Sequence, residues 1–178
     1  MARYVALLRA VNVGGRRMPM AELRGLAEEI GLADPKTFIQ SGNLLFEALG
    51  TESMLEAKLE KALAERFGFH SDVVVRSAAE WRRLVRSNPF EAESKREPNR
   101  VLVGLPKSKL AEGAAKAIAA RAAAGERVHE AGGGLWFHFP AGVGTSKITP
   151  AVIDRAAGSP VTTRNWRTLL ALQEMLEQ

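Results

Sequence analysis

The sequence predicts an α+β fold of two ferredoxin-like halves, each a β-α-β-β-α-β unit with an antiparallel sheet, followed by a C-terminal helix. The main observation is that the order of strand-like and helix-like segments in residues 1–88 recurs in residues 99–178, although the residues themselves do not repeat. Between them, residues 89–98 are mostly charged and lack an apolar pattern, which is typical of a linker. We therefore expect two domains, and we assign the closing helix to the second.

The first half begins with an apolar strand, about Tyr4 to Val11, and a helix at about Pro19 to Ile30. The segment Lys36 to Glu47 has strand-like flanks around a central Ser-Gly-Asn turn signal, so it supplies two strands. A helix from about Glu52 to Phe67 and a short strand from Val73 to Arg76 complete the order. The acidic residues of both helices fall on the polar faces, and we interpret them as solvated charges.

A third helix, which begins at a capping-box pattern at Ser77, precedes the linker. The second half then starts with a strand, Val101 to Leu105, and an alanine-rich helix from Ser108 to about Ala123. Two strand-like segments flank three glycines and predict a hairpin. The remaining elements are a short helix to Ala157, a strand at Val161 to Thr163 and a closing helix at Asn165 to Leu176.

Composition narrows the class of protein. The chain has 178 residues, of which 46% are hydrophobic, so it can bury a core. Its net charge of +5 permits binding to nucleic acid or to an acidic ligand without requiring either. The absence of cysteine excludes disulfides, thiolate metal sites and cysteine nucleophiles. No signal peptide and no apolar stretch near the ~18 residues of a membrane helix is visible, so we expect a cytoplasmic protein without a membrane partner.

The stretch from Tyr4 to Met20 combines a strand, a Gly14-Gly15 loop, the paired Arg16 and Arg17, and a helix start. We predict a positive φ for at least one of the two glycines, because the chain must turn sharply between strand and helix. Such a connection could hold an anion, because backbone amides and arginines would point at it. Neither G-x-x-x-x-G-K-[ST] nor G-x-G-x-x-G is present, however. The alternative interpretation is a tight strand-to-helix connection with solvated arginines.

Six motifs are spread over nearly the whole chain: Tyr4-Val-Ala-Leu-Leu-Arg-Ala-Val-Asn-Val-Gly-Gly15, Met20-Ala-Glu-Leu23, Phe38-Ile-Gln-Ser-Gly-Asn43, Asn88-Pro-Phe90, Ser146-Lys-Ile-Thr149 and Thr162-Thr-Arg-Asn-Trp166. Together they resemble the family catalogued as domain of unknown function 1697. Ala10 departs from the family pattern, which leads us to expect glycine at this position. The resemblance implies a fold of ferredoxin-like halves, and it implies no activity and no catalytic residue.

The polar residues of these motifs lie at strand ends and loops, and no carboxylate occurs among them. Such a set is poor at proton transfer but suited to gripping phosphate or carboxylate oxygens. The predicted ligand-binding residues are Arg9, Asn12, Gly14, Gly15, Arg16, Gln40, Ser41, Asn43, Lys147, Thr163, Arg164 and Asn165. We expect seven of them to converge on one pocket for an anionic small molecule or a nucleic-acid backbone, namely Arg9, Asn12, Arg16, Gln40, Ser41, Lys147 and Arg164. For Asn43 and Asn165, cap or turn roles are the favoured interpretation.

Other chemistries have weaker sequence support. Ser41 lies in Gln-Ser-Gly-Asn rather than in G-x-S-x-G. His129 and His138 would share a sheet face if the hairpin loop has two residues, and would face opposite ways if it has three. Two histidines make a weak metal site in either case, so we predict no metal and no cofactor. Trp136 is either a base-stacking platform or a packed residue, while the alternate residues of its strand belong to the core.

The sequence is compatible with three functional hypotheses. The first is a protein that binds an anionic, phosphate-bearing ligand or a nucleic-acid backbone through a polar, basic cleft. The second is an architectural interaction module without a ligand. The third is a metal-assisted enzyme acting on a phosphate ester, for which the sequence identifies no catalytic residue.

Overall fold

The computed structural model describes all 178 residues, and it contains eight strands and seven helices. In chain order they are β1 (Ala2–Leu8), α1 (Met20–Glu29), β2 (Ala33–Thr37), β3 (Asn43–Ala48), α2 (Glu52–Phe67), β4 (Val73–Ser77), α3 (Ala78–Arg86), α4 (Glu91–Arg96), β5 (Val101–Pro106), α5 (Ala114–Ala119), β6 (Arg127–Ala131), β7 (Gly134–His138), α6 (Pro150–Ala157), β8 (Val161–Asn165) and α7 (Trp166–Glu177). None of these helices is both long enough and apolar enough to cross a membrane.

The strands form two four-stranded sheets, with the orders β2-β3-β1-β4 and β6-β7-β5-β8. Every pairing is antiparallel, so the predicted architecture of two β-α-β-β-α-β halves with a C-terminal helix is confirmed. In each half the first and third strands are central and the second and fourth are at the edges. The fourth strand runs directly into a further helix in both halves, α3 after β4 and α7 after β8.

The chain divides into two compact units, Met1–Trp81 with Leu172–Gln178, and Arg82–Ala171. This division differs from the expected one, because the last residues of the closing helix group with the first unit. A hydrogen bond holds them there, since Arg3 Nη1 donates to the carbonyl oxygen of Leu176 over 3.0 Å. The sequence pattern of a helix cannot show this partner, which is 173 residues away along the chain.

The expected linker, residues 89–98, contains helix α4. Its charges favour helix formation, because acidic residues occupy the first turn and Lys95 and Arg96 occupy the last turn. Asn88 fixes the entry to this helix: its Nδ2 donates to Ser94 Oγ over 2.7 Å, and its Oδ1 accepts from Phe90 N over 2.8 Å. A segment without an apolar pattern is therefore ordered through its charge arrangement and the two hydrogen bonds of Asn88.

The first unit has its core between the sheet and the helices α1 and α2. Strand β1 alternates, so Tyr4, Ala6 and Leu8 face the helices, and they meet core residues of α1, α2 and the neighbouring strands. The residues between them, Val5 and Leu7, are also fully buried on the opposite face. Burial of both faces explains why β1 reads as a continuous apolar run rather than as an alternating one.

Helix α2 carries three glutamates at four-residue spacing that accept hydrogen bonds from the backbone of edge strand β4. The bonds join Glu52 to Ser77 N (2.9 Å), Glu56 to Val75 N (2.9 Å) and Glu60 to Val73 N (3.0 Å). The two periods match, because four helical residues advance about 6 Å and two strand residues about 6.6 Å. The prediction that these acids are solvated charges is therefore wrong, since they satisfy the amides of the edge strand. We call this set the glutamate ladder.

Replacement of Glu56 by alanine tests the glutamate ladder. Glu56 is buried, so its loss would leave the amide of Val75 without an acceptor. We expect the free energy of unfolding to fall by about 1–3 kcal/mol, as for other buried polar groups that lose a partner. Chemical denaturation measures this value. Glu65→Ala on the same helix is the matched control, since Glu65 is exposed and should change stability by less than about 0.5 kcal/mol. Equal losses in the two variants would contradict the role of the ladder.

Candidate functional site

Three loops meet at one end of the first sheet, where β1 and β2 end and β3 and β4 begin. They are residues 9–19, 38–42 and 68–72, and we call their common surface the three-loop surface. Eight of the predicted ligand-binding residues lie in these loops or next to them, namely Arg9, Asn12, Gly14, Gly15, Arg16, Gln40, Ser41 and Asn43. The sheet register brings them to one end, because Leu7 pairs with Asn43 and Leu8 pairs with Val73.

The first of these loops turns through several residues with positive φ. Gly14 has a φ of 55° and Gly15 a φ of 82°, which confirms the prediction that at least one of them is left-handed. Ala10 and Asn12 also have φ values of 55°. Ala10 stands where the family resemblance predicts glycine, and a glycine would adopt this conformation with less strain. The loop conformation therefore accounts for the family pattern at this position.

The side chain of Asn12 joins the first loop to the second. Its Oδ1 accepts from Met18 N over 2.8 Å, and its Nδ2 donates to Met18 O over 2.9 Å and to Gln40 O over 2.7 Å. These three bonds use both donors and one lone pair of the amide. Asn12 therefore holds the loop in shape, and its amide N–H groups are not available to a ligand.

The third loop is joined to the first by Ser71. Its Oγ donates to the carbonyl oxygen of Arg9 over 2.7 Å, and Arg9 N donates to Asp72 O over 3.0 Å. Ser71 is buried, so these bonds are shielded from water. The backbone that carries Arg9 is consequently fixed from two sides.

Arg16 makes a second connection between the first and third loops. Its Nη1 donates to the carbonyl oxygen of His70 over 3.2 Å, and its guanidinium lies 5.4 Å from the ring centroid of Phe69. Both contacts orient an exposed arginine without neutralising it. One of the five N–H groups of the guanidinium is used in this way.

The three-loop surface has a net positive charge. Its loops contain three arginines, Arg9, Arg16 and Arg17, and one carboxylate, Asp72, so their formal charge is 3 − 1 = +2 with histidine neutral. Asp72 is already engaged, because its Oδ1 lies 2.9 Å from His70 Nε2. The sequence prediction missed Arg17 and His70; the pairing of Arg17 with Arg16 in the sequence was the available signal, whereas nothing local indicated His70.

Asn43 and Gly42 shape the second loop. Asn43 is fully buried, and its Nδ2 donates to Phe38 O over 2.8 Å and to Ser41 Oγ over 3.0 Å, which confirms the turn interpretation. Gly42 has a φ of 91°, and a Cβ atom there would lie 2.7 Å from a methyl group of Val11. The loop therefore packs directly against the chain that leaves β1, which only glycine allows.

The other four predicted residues belong to the second unit. Lys147 is exposed in the loop after β7, and Thr163, Arg164 and Asn165 end β8. Asn165 Oδ1 accepts from Thr168 N over 2.9 Å in the first turn of α7, which confirms the cap interpretation. Burial lowers the pKa of Arg164 to about 10, so it stays charged at neutral pH. That these residues and the first eight form one pocket stays a prediction.

The two histidines of the hairpin share one face. The turn at Gly132-Gly133 has two residues, which decides between the two alternatives that the sequence left open. The rings of His129 and His138 lie 5.5 and 6.0 Å from that of Phe90, and His138 Nε2 lies 3.2 Å from Glu97 Oε2. No group of three or more histidine, aspartate or glutamate residues in the structure could hold a metal ion.

Trp136 is a packed residue, and it offers no stacking platform for a base. It is fully buried, its Nε1 donates to Ala131 O over 3.1 Å, and its ring lies 5.9 Å from that of Trp166. The alternate residues of its strand belong to the core of the second unit, as predicted. The structure thus gives no support to RNA recognition by this strand.

Glu52 and Glu80 form a pair of carboxyl groups whose pKa values are both shifted. Both accept from Ser77 N, over 2.9 and 3.3 Å, and Ser77 Oγ in turn accepts from Glu80 N, which confirms the predicted capping box. Burial, and then the hydrogen bond with Glu80, raise the pKa of Glu52 to about 7, while the same hydrogen bond lowers the pKa of Glu80. The pair is bound to the backbone, so it explains local stability rather than catalysis.

Comparison with known proteins gives a family and a fold. The family described as "Protein of unknown function (DUF1697)" matches residues 1–136, so two of the six motifs lie beyond the matched part. The conserved bacterial protein SP0830 from Streptococcus pneumoniae has a similar structure, with a TM-score of 0.75 and 23% identity over 100% of this chain and 99% of that chain. At this identity the likeness shows the fold alone. No curated protein matches significantly.

The Glu52–Glu80 pair predicts a pH dependence of stability. The ordinary pKa of a glutamate, 4.5, is raised to about 7 at Glu52, so the folded state keeps a proton that the unfolded state releases. This stabilising contribution is fully present below about pH 4.5 and is lost as the pH rises through about 7. Glu52→Gln resembles the protonated form and should reduce the loss of unfolding free energy between pH 5 and 8 by about 1 kcal/mol, since partial exposure screens the effect.

Denaturant titrations at several pH values measure this difference. Glu60→Gln is the matched control, because Glu60 accepts a backbone bond in the same ladder from Val73 N, whereas Glu52 and Glu80 both accept from Ser77 N. The control should keep the pH dependence of the unmodified protein. An unchanged pH dependence in Glu52→Gln would show that the two carboxyl groups do not share a proton.

Proposed function

The chain belongs to the DUF1697 family, and since the description of that family assigns no activity, we propose from the site's geometry that the protein binds an anionic, phosphate-bearing ligand at the three-loop surface. The observation that carries this proposal is the set of three arginines on loops that side-chain hydrogen bonds hold together. The ligand is a small phosphorylated molecule or the backbone of a nucleic acid, which share the chemistry that this surface recognises.

The fixed loops favour binding because little ordering remains to be done when the ligand arrives. Asn12 and Ser71 hold the backbone, so the arginines start from a defined geometry. Arginine is suited to this role, since its planar guanidinium can grip two phosphate oxygens at once. Like charges at this end repel one another, and a bound anion removes that repulsion.

Backbone amides of the first loop add to the site. Gly14 N and Gly15 N donate no hydrogen bond within the protein, and both residues are exposed beside Arg16. Amides of successive residues in left-handed turns form concave sites for anions. The glycines also leave the surface open, because no atom lies within 4 Å of a Cβ built on either of them.

A second candidate function is an architectural interaction module without a ligand. It is favoured by the finding that the amides of Asn12 and Asn43 are used within their own loops. A metal-assisted phosphate esterase has no comparable support, since the three loops offer one carboxylate, Asp72, and it pairs with His70. The anion-binding proposal is preferred because the architectural role leaves the arginines and the glycine amides unexplained.

The double variant Arg16→Ala/Arg17→Ala tests the proposal. We expect at least a tenfold loss of affinity for inorganic tripolyphosphate, measured by isothermal titration calorimetry, because two charge-assisted contacts are removed. If the natural ligand is a nucleic acid, binding to a DNA duplex should weaken as well, and the slope of log affinity against log salt should fall by about two. Thermal stability should stay nearly unchanged, since both side chains are exposed.

Arg82→Ala/Arg83→Ala is the matched control. These arginines are also adjacent and exposed, and they lie on α3, so the change in net charge is the same. The control should bind tripolyphosphate like the unmodified protein. Equal losses in both double variants would indicate a general charge effect, and no binding by the unmodified protein would leave only the architectural role.

A further inference from the structure

The second unit contains a cavity of about 360 Å³ on the helix-facing side of its sheet. Its floor is formed by sheet residues, among them Leu102 and Phe137, and Ile148 and Ile153 form a wall. The loop between β7 and α6 covers it, and Val143 of that loop is 55% exposed at the rim. Thr163 lines this cavity, although the sequence predicted it as a residue of the anion pocket. The cavity belongs to the second unit, whereas the proposed anion site belongs to the first.

The cavity follows from a difference between the halves. Three residues, 49–51, connect β3 to α2 in the first half, whereas eleven residues, 139–149, connect β7 to α6 in the second. Helix α2 has 16 residues and α6 has 8, so α6 is about 12 Å shorter. The loop 139–149 stands in place of the missing helical turns, and a loop cannot fill the space above the sheet as a helix does.

Hydrogen bonds fix the loop over the cavity. Ser146 Oγ donates to Glu126 Oε2 over 2.9 Å and accepts from Ile148 N over 3.1 Å, while Glu126 Oε1 accepts from Ala124 N over 2.6 Å. Burial alone would raise the pKa of Glu126, but these hydrogen bonds outweigh it and leave the pKa below its usual value. Glu126 is therefore ionised at neutral pH and holds the loop, so the cavity has a built cover.

The lining determines the chemistry of a ligand. None of the lining residues is charged, and most are aliphatic or aromatic. The polar groups are the hydroxyls of Ser146, Thr149 and Thr163. Ser146 is used in holding the loop, and Thr149 Oγ1 accepts from Val152 N as the cap of α6. The hydroxyl of Thr163 has no partner within the protein, so it can bond to a ligand on the sheet floor.

We propose that this cavity binds a neutral, largely hydrophobic small molecule with one hydrogen-bonding group that Thr163 recognises. An uncharged lining favours a neutral ligand, because a buried charge would lack a partner. The size is sufficient, since an apolar cavity of about 150 Å³ accommodates benzene and ligand pockets begin at about 300 Å³. A ligand with two fused rings or a ring with a short substituent fits this volume.

The probe is 2-naphthol, a neutral two-ring molecule with one hydroxyl group. We expect saturable binding with one molecule per chain, detected by its fluorescence and by shifts of the methyl NMR signals of Leu102, Ile148 and Ile153. Leu102→Trp fills the cavity and should weaken binding at least tenfold without lowering the melting temperature. Leu170→Trp is the matched control, because Leu170 is exposed on α7, and it should bind like the unmodified protein.

Two further variants keep the test decisive. Val143→Trp obstructs the rim from an exposed position, so it should weaken binding even if Leu102→Trp fails to fold. Thr163→Val should weaken the binding of 2-naphthol and leave that of naphthalene unchanged, since only the hydrogen bond is lost. The proposal is overturned if the unmodified protein shows no saturable binding, or if Val143→Trp binds 2-naphthol as tightly as the unmodified protein does.

Discussion

The backbone amides of edge strand β4 need acceptors, and the placement of the first half's elements depends on how they obtain them. Glu52, Glu56 and Glu60 of helix α2 supply one acceptor each, at alternate residues of the strand. Because this ladder fixes the helix along the strand, it also fixes the loop 68–72 that joins them. That loop then contacts Arg9 and Arg16 through Ser71 and His70, so the geometry of the candidate anion site follows from the edge of the sheet.

The second half has the same topology but a reduced form of this interaction. Its edge strand β8 receives one carboxylate acceptor from α6, Asp154 Oδ1, which accepts from Val161 N over 3.0 Å. Helix α6 is half as long as α2, and the loop 139–149 occupies the position of the missing turns. The length of the helix that follows the third strand therefore accounts for both features. The long helix α2 carries the glutamate ladder in the first half, and the short helix α6 leaves room for the cavity in the second.

On the three-loop surface, the side chains that join the loops are mostly different from the exposed arginines that would bind an anion. Two neutral side chains that are partly or fully buried, Asn12 and Ser71, form hydrogen bonds that join the loops. Arg16 and Arg17 are exposed, and Arg16 adds one hydrogen bond to the third loop, from Nη1 to the carbonyl oxygen of His70. This arrangement suits anion recognition, because the scaffold remains intact when the surface charges change.

The sequence by itself determined the order of the elements within each half, both antiparallel sheets, the left-handed turn at Gly14-Gly15 and the cap role of Asn165. These features depend on periodicity and on the conformational preferences of single residues, which act locally. Three features are visible only in the tertiary structure. The glutamates of α2 accept hydrogen bonds from the backbone of β4, Leu176 belongs to the first unit, and a cavity lies beneath the loop 139–149. Each of these involves segments distant in sequence, and their meeting is set by sheet register and by the packing of helices on the sheet, for which no local pattern exists.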